Sequence, residues 1–146
     1  ILRHADRIKI ACLAQLVNVL APIMTTTGGE AWRESIFYPF AQACRYGKGS
    51  ILQEKAESPV YDSSHHKTVP YLESVSVWNE ESRELVVFAV NRHMSEHMEL
   101  SVEAENFSNL ILTEYLSFKE NEITRKNVFS SLPPLSWNVI RYRESD

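Results

Sequence analysis

At 146 residues and 16.8 kDa, with 44% hydrophobic and 23% charged residues, the chain has one ordinary domain's length and a globular composition, which excludes wholesale disorder. Its four glycines all fall between Gly28 and Gly49 with neither G-x-G-x-x-G nor G-x-x-x-x-G-K-[ST] spacing, which excludes the phosphate-cradling loops of nucleotide-binding folds. The net charge of −4 is uneven: residues 1–50 carry six Lys/Arg against three Asp/Glu, whereas residues 51–146 carry nine against sixteen, so no basic face for nucleic acid is expected.

The sequence starts at Ile1 without an initiator methionine or a signal-peptide layout and reads as cut from a longer chain. Ile8 to Met24 is a near-continuous apolar run, shorter than the roughly 18 uninterrupted residues a membrane span needs. It fits a strand buried on both faces of a parallel sheet, although periodicity alone also permits a buried helix. Gln15 interrupts the run, so it must be hydrogen-bonded or face a cavity. Cys12 and Cys44 lie in apolar stretches without a C-x-x-C partner and read as buried, reduced thiols of a cytosol-like compartment. Thr25-Thr26-Thr27-Gly28-Gly29 marks a turn. Beyond it, Trp32, Ile36, Phe37, Phe40, Ala43 and Cys44 recur at helical spacing, with Arg33, Glu34 and Gln42 on the opposite side. Pro39 predicts a kink in that helix and Gly47 its stop. Residues 1–49 therefore read as a strand, a loop and a helix.

From Ser50 the period changes to two. Leu72–Asn79 and Glu84–Asn91 flank a polar turn and predict a hairpin. Further strands are expected at Ser50–Glu57, Met98–Val102, Leu110–Ser117 and Ser136–Tyr142, with Pro59, Pro133 and Pro134 between runs. This spacing predicts a mainly β fold, an antiparallel β-sandwich of jelly-roll type over 50–146, preceded by the βα unit of 1–49.

Candidate chemistry is sparse. His93-Met94-Ser95-Glu96-His97 matches H-x-x-E-H, but zinc chemistry needs that motif on one helical face and here it fills a turn between strands, so no metal site is expected. His65-His66 lies in a polar loop, and Asn106-Phe107-Ser108 is a glycosylation sequon without other secretory signs. A glycosidase carboxylate pair needs one desolvated carboxyl across a cleft; Glu80, Glu81, Glu96, Glu103, Glu105, Glu120 and Glu122 fall instead in turns or on polar strand faces, and the helix dipole explains Glu30 and Glu34. No serine, cysteine or histidine sits in a sharp strand-to-helix elbow, so no nucleophilic triad emerges. Tyr61, Tyr71, Trp78, Trp137 and Tyr142 are numerous enough for a sugar-stacking face, but Trp78 and Trp137 lie in alternating strands and are expected to fill the core or an interdomain contact.

Particular words go further than periodicity. The run from His4 to Thr25, HADRIKIACLAQLVNVLAPIMT, resembles a segment of bacterial α-L-arabinofuranosidases of glycoside hydrolase family 51. Ile36-Phe37-Tyr38-Pro39-Phe40 with Arg45-Tyr46-Gly47, Val69–Ser74 and Leu135–Arg141 add to it, and residues 89–130 resemble it least. The resemblance implies that residues 1–49 are the last strand-helix unit of a (β/α)8 barrel and 50–146 the sandwich that follows it. It implies a retaining exo-glycosidase in which one glutamate protonates the leaving oxygen and another forms a glycosyl-enzyme intermediate. Both glutamates belong to earlier barrel strands and neither motif is present here, so the chain alone is expected to be inactive. The one substrate residue carried over is Gln15, which would reach arabinose from the active-site end of the barrel. The implied protein is cytoplasmic and homo-oligomeric, needs no cofactor or metal, and meets arabinose-containing oligosaccharides through the barrel, with no nucleic-acid or membrane partner. The alternative is a free-standing carbohydrate-binding module stacking sugars on Trp78, Tyr71 or Trp137.

Overall fold

Residues 8–22 do not form the expected strand. The structure, a computed structural model, describes residues 1–145 and divides into two units, Ile1–Gly47 and Lys48–Asp146. In the first, a short 3-10 turn at Leu2–His4 leads into irregular chain. The first strands are β1 (Ile23–Thr25) and β2 (Ala31–Arg33), an antiparallel pair with Ile23 opposite Arg33 and Thr25 opposite Ala31. Of the apolar run before Ile23, only Val17 joins them, through a parallel bridge to Ile23. A doubly buried parallel strand needs laddered neighbours on both sides and helices over both faces, and the unit supplies none of these to residues 8–16. Ile10 is accordingly 83% exposed and Leu20 84%. Cys12 and Cys44 are free but exposed rather than buried, the first because its segment is uncovered, the second because it lies on the outer side of the helix.

That helix, α1 (Phe37–Tyr46), starts five residues later than the spacing suggests, because Trp32 is taken into β2. Pro39 thus falls in the first turn, where backbone N–H groups have no intrahelical partner, so its missing N–H costs the helix no hydrogen bond. Gly47 ends the helix as expected, its N–H donating to the Ala43 carbonyl at 2.8 Å. Gln42, assigned by spacing to the polar side, is the buried residue of α1.

The second unit is a six-stranded antiparallel sheet with a two-stranded one beside it in sequence. Its strands are β3 (Ser50–Ile51), β4 (Val60–Tyr61), β5 (Val69–Pro70), β6 (Leu72–Asn79), β7 (Glu84–Asn91), β8 (Leu110–Lys119), β9 (Glu122–Lys126) and β10 (Ser136–Glu144). The large sheet runs β3-β6-β7-β10-β8-β9, and β4 pairs with β5. The β6–β7 hairpin has the expected boundaries, Asn79 Oδ1 accepting from the Ser82 amide inside the turn. β7 lies in mid-sheet and is buried on both faces, which is why Leu85–Val90 reads as a continuous apolar run rather than an alternating one. Glu120 and Asn121, both at positive φ, make the two-residue turn into β9, an edge strand with every residue exposed that periodicity did not reveal. Gly49, at φ +133°, passes so close to β6 that a Cβ would stand 2.0 Å from the Trp78 carbonyl oxygen.

One sheet face, carrying Leu72, Leu85, Val87, Ala89, Tyr115 and Ile140, packs with Leu132 into the core. Leu52, Met98, Leu100, Val102, Ala104 and Phe129 close over it. This covering layer is mostly irregular. The expected strand at Met98–Val102 is reduced to a bridge between Met98 and Leu132, and that at Ser50–Glu57 to β3. Met98, Leu100 and Val102 still alternate with exposed Glu99, Ser101 and Glu103, so the period-two signal is real, but no neighbouring chain completes a ladder. The unit is thus antiparallel β with two layers over one core, as the sequence predicts, whereas the barrel remnant ahead of it is not seen as a laddered strand.

Candidate functional site

Residues 14–25 form an arch that returns on itself. Gln15, Asn18 and Val19 have φ of +27°, +60° and +65°. Asparagine tolerates this region because its side chain bonds locally, and a valine there is strained by roughly 1–3 kcal/mol. The Asn18 side chain closes the arch: its Oδ1 accepts from the Thr25 amide at 2.8 Å and its Nδ2 donates to Thr25 Oγ1 at 3.0 Å. The Asn18 amide donates to the Ile23 carbonyl at 2.8 Å. Gln15 stands on this arch exposed, neither in a cavity nor in any side-chain hydrogen bond among the described residues, contrary to the expectation from its place in an apolar run. The reason is the missing ladder: without a strand on either side, nothing encloses it.

The β1–β2 hairpin carries a second group of polar and aromatic side chains. Trp32 is 45% exposed, and its indole N–H donates to Glu34 Oε1 at 2.8 Å. The Glu34 amide donates to the Pro22 carbonyl at 2.9 Å, which ties the end of the hairpin back to the arch. An amide with two donors and an acceptor, a carboxylate and an indole are what a polyhydroxylated ligand requires: hydrogen bonds for its hydroxyls and a flat apolar face for its C–H groups. Spacing placed Trp32 and Glu34 on a helix and so missed their proximity. The signal that finds them is the Thr-Thr-Gly-Gly turn, with Gly28 at φ +68°, between two short runs.

In the second unit the structure disperses the other candidates. His93 and His97 do not converge: His93 Nδ1 accepts from the amides of Ser95 and Glu96, and His97 Nδ1 contacts Ser131 Oγ at 3.1 Å. Among the described residues no three His, Cys, Asp or Glu side chains cluster as a metal site. His66 is held in a turn by Ser63, beside the Lys67–Asp62 pair, whose lysine and Thr68 amide lower the Asp62 pKa. Glu80, Glu81, Glu96, Glu103, Glu105, Glu120 and Glu122 are all exposed, as expected. Glu84 and Glu114 do come together, on either side of Arg141 at 2.8 and 2.6 Å, and each has a further arginine, Arg143 or Arg125. Carboxylates so clamped serve as a sheet-spanning ion network rather than as an acid and nucleophile flanking a cleft. A bulge at Thr113 in β8 sets this register.

The aromatic platforms are occupied. Tyr71 is flanked by Tyr61 at 4.7 Å and His93 at 4.6 Å between ring centroids. Trp78 packs on Phe107 at 4.6 Å and against the core, as expected, whereas Trp137 lies 5.6 Å from Phe88 on the opposite face of the sheet. Tyr142 is half-buried, and its burial raises its phenol pKa. Phe107, the middle residue of the sequon, is thereby a packing residue.

The family model described as "Alpha-L-arabinofuranosidase C-terminal domain" matches residues 1–134. The chain belongs to this family. Two relatives of the arabinofuranosidase C-terminal domain show how much of a larger protein it represents. An intracellular exo-α-(1→5)-L-arabinofuranosidase of Halalkalibacterium halodurans is 41% identical over 97% of this chain and 32% of its own length. A protein of the same description from Bacillus subtilis is 42% identical over 98% of this chain and 33% of its own. The chain therefore spans about a third of the length of the curated relatives it matches. Among solved structures, a family 51 α-L-arabinofuranosidase from Bifidobacterium longum superposes with a TM-score of 0.85 at 29% identity, covering 97% of this chain and 31% of that one. A Thermotoga maritima α-L-arabinofuranosidase solved with arabinose shares the fold, with a TM-score of 0.78 at 19% identity over 95% of this chain and 35% of that one.

Proposed function

We propose that the chain works as the C-terminal portion of an α-L-arabinofuranosidase, a retaining exo-glycosidase releasing arabinofuranose from arabinan or arabinoxylan side chains. Residues 1–49 are the last strand-helix unit of its (β/α)8 barrel, and 50–146 are the sandwich that braces the barrel. The observation that carries this reading is the family match over residues 1–134 in a chain about a third as long as its relatives. On it, the acid and the nucleophile are glutamates of earlier barrel strands, and no residue of this chain is catalytic. Gln15 contributes hydrogen bonds to arabinose from the active-site end of the barrel, as the resemblance implies, and its exposed place on the arch leaves its amide free to do so. The protein acts without cofactor or metal, as a cytoplasmic homo-oligomer; the names of the two bacterial relatives, both described as intracellular, support the compartment. The isolated chain, offered a chromogenic aryl α-L-arabinofuranoside, is expected to give no turnover. Robust hydrolysis by these 146 residues would refute the assignment.

A further inference from the structure

The large sheet has two edges, and the chain treats them differently. At one, β3 covers only Val77 and Trp78 of β6, and the segment after β3 straps the rest. There the Leu52 amide donates to the Ser76 carbonyl, the Glu54 carboxylate accepts from the Ser74 and Ser76 hydroxyls, and Ser58 Oγ accepts from the Leu72 amide. At the other edge β9 ends the strand order with every residue exposed, and no such strap covers it among the described residues. An edge left bare is a template for a further strand.

The hairpin register fixes what that edge offers. Glu120 and Asn121 make a two-residue turn, so Lys119 and Glu122 form a hydrogen-bonded pair, and such pairs recur at every second residue. Glu122, Thr124 and Lys126 therefore turn their backbone N–H and C=O groups toward β8, whereas Ile123 and Arg125 turn theirs outward. A second copy of β9, antiparallel and centred on Thr124, matches both outward residues: Ile123 of each copy faces Arg125 of the other and exchanges N–H···O=C bonds with it. In the same register Glu122 of each copy faces Lys126 of the other in a non-hydrogen-bonded pair, where side chains stand closest and opposite charges attract. Sliding the copies by two residues loses this, because one direction sets Arg125 against Arg125 and the other sets Arg125 against Asn121 in the turn. In the matched register the Arg125 guanidinium stays neutralised by Glu114 at 2.7 Å, and its aliphatic stem lies opposite Ile123, which is otherwise 46% exposed.

We propose that β9 is the contact through which two copies of this chain associate, edge to edge about a two-fold axis at Thr124, joining their six-stranded sheets into one. Charges on an edge strand ordinarily discourage pairing; here their order, acidic at one end and basic at the other, opposes every register but this one. The inference deepens the homo-oligomeric part of the reading above and rests on it.

Sedimentation velocity of the full-length protein containing this chain, over a dilution series, reads the association. Glu122→Lys and Lys126→Glu each place like charges opposite one another on both sides of the axis, and each is expected to raise the dissociation constant about tenfold. The double variant Glu122→Lys/Lys126→Glu exchanges the charges and is expected to return to within about twofold of the parent. An equimolar mixture of the two single variants sets Lys against Glu at each of these positions and is expected to associate more tightly than either variant alone. Ile123→Pro removes an outward N–H without touching the β8 ladder and is expected to abolish the contact. Thermal melting reports whether each variant folds, and the mixture carries the test if Ile123→Pro does not. An oligomer indifferent to these substitutions, or a mixture no tighter than its components, would overturn the β9 pairing and leave the homo-oligomeric reading standing. A parent protein monomeric throughout the series would overturn both.

Discussion

Replacing Tyr115 by phenylalanine is expected to destabilise the second unit by about 1–2 kcal/mol, and the reasoning runs through one proton. Asn138 is fully buried in β10; its Nδ2 donates to the Ala89 carbonyl at 3.2 Å and to Ser136 Oγ at 2.8 Å, and its Oδ1 accepts from the Tyr115 hydroxyl at 2.8 Å. The same hydroxyl lies 3.2 Å from the Ser131 carbonyl, but it has a single hydrogen and the shorter contact takes it. Phenylalanine keeps the ring against Phe129, so no cavity opens, but Asn138 Oδ1 is left buried without a donor. A stranded buried acceptor costs about 1–3 kcal/mol, and the absence of a cavity places this one in the lower half. Asn138→Ala breaks three hydrogen bonds and removes side-chain volume, for about 3–4 kcal/mol. Because the two residues share a bond, the double variant should recover about 1 kcal/mol relative to the sum of the singles. Urea titration of the intact chain, followed by tryptophan fluorescence from Trp78 and Trp137, measures all three. At about 4–8 °C per kcal/mol for a unit of this size, the single Tyr115 change should lower Tm by roughly 5–15 °C. A Tyr115→Phe protein as stable as the parent, or a coupling energy of zero, would show that the hydroxyl does not hold Asn138.

Further outcomes follow from the ion pairs and the arch. Glu144 is held below the usual carboxylate range by the Ser108 amide first and the Arg83 guanidinium second. Its folded pKa being depressed, its contribution is present above the ordinary value of 4.5 and is lost as pH falls through the lower folded value. Glu144→Gln should therefore lower Tm near pH 7 and make progressively less difference as pH falls below 4.5 and through the lowered folded value, read by melting across that range. Arg141→Met leaves Glu84 and Glu114 facing each other with only the more exposed Arg143 and Arg125 to screen them; a loss of about 2–4 kcal/mol in urea titration is expected, partly restored by adding Glu114→Gln. On the proposed function, Gln15→Ala in the full-length protein should weaken arabinose binding and turnover with Tm unchanged, and unaltered steady-state kinetics would remove Gln15 from the proposed site.

Legibility in the sequence followed from whether a segment's partners lie within the chain. Leu72–Asn79 and Glu84–Asn91 pair with each other across a short polar turn, so alternation and turn chemistry together fix their boundaries. β8 and β10 were also legible, extending two residues past their expected ends, because both contribute alternate residues to the same core. Met98–Val102 shows the limit of alternation: it reports which side chains face inward, not whether the backbone finds a neighbour. Ile8–Met24 shows the limit of an apolar run, which reports that burial is required without saying by what. Trp32 and Glu34 were misassigned for a different reason: three-residue strands are too short for a period, and helical spacing through Trp32 and Ile36 was coincidental. Gln15 was singled out by its oddness in an apolar run, and its suggested role came from resemblance alone.

The two units differ in how far they can stabilise themselves, and this bears on the proposed site. Residues 48–145 hold a closed core and a satisfied buried polar network of Asn91, Asn138 and Tyr115. Residues 1–47 bury only Ala21, Pro22 and Gln42, while Ile10, Leu16, Val19 and Leu20 are each more than three-fifths exposed. Covering an aliphatic side chain of this size supplies about 1.5–3 kcal/mol, so enclosing those four is worth roughly 6–12 kcal/mol, as much as the whole stability of a typical domain. It far exceeds the strain at Val19 and the entropy of fixing a glutamine rotamer. Gln15 lies among these four residues in sequence, so the contacts that order it are the ones that cover its neighbours. On the proposed reading, closure of the barrel around residues 8–20 and alignment of Gln15 toward arabinose are therefore a single folding event, and the sugar contact exists only where that closure is complete.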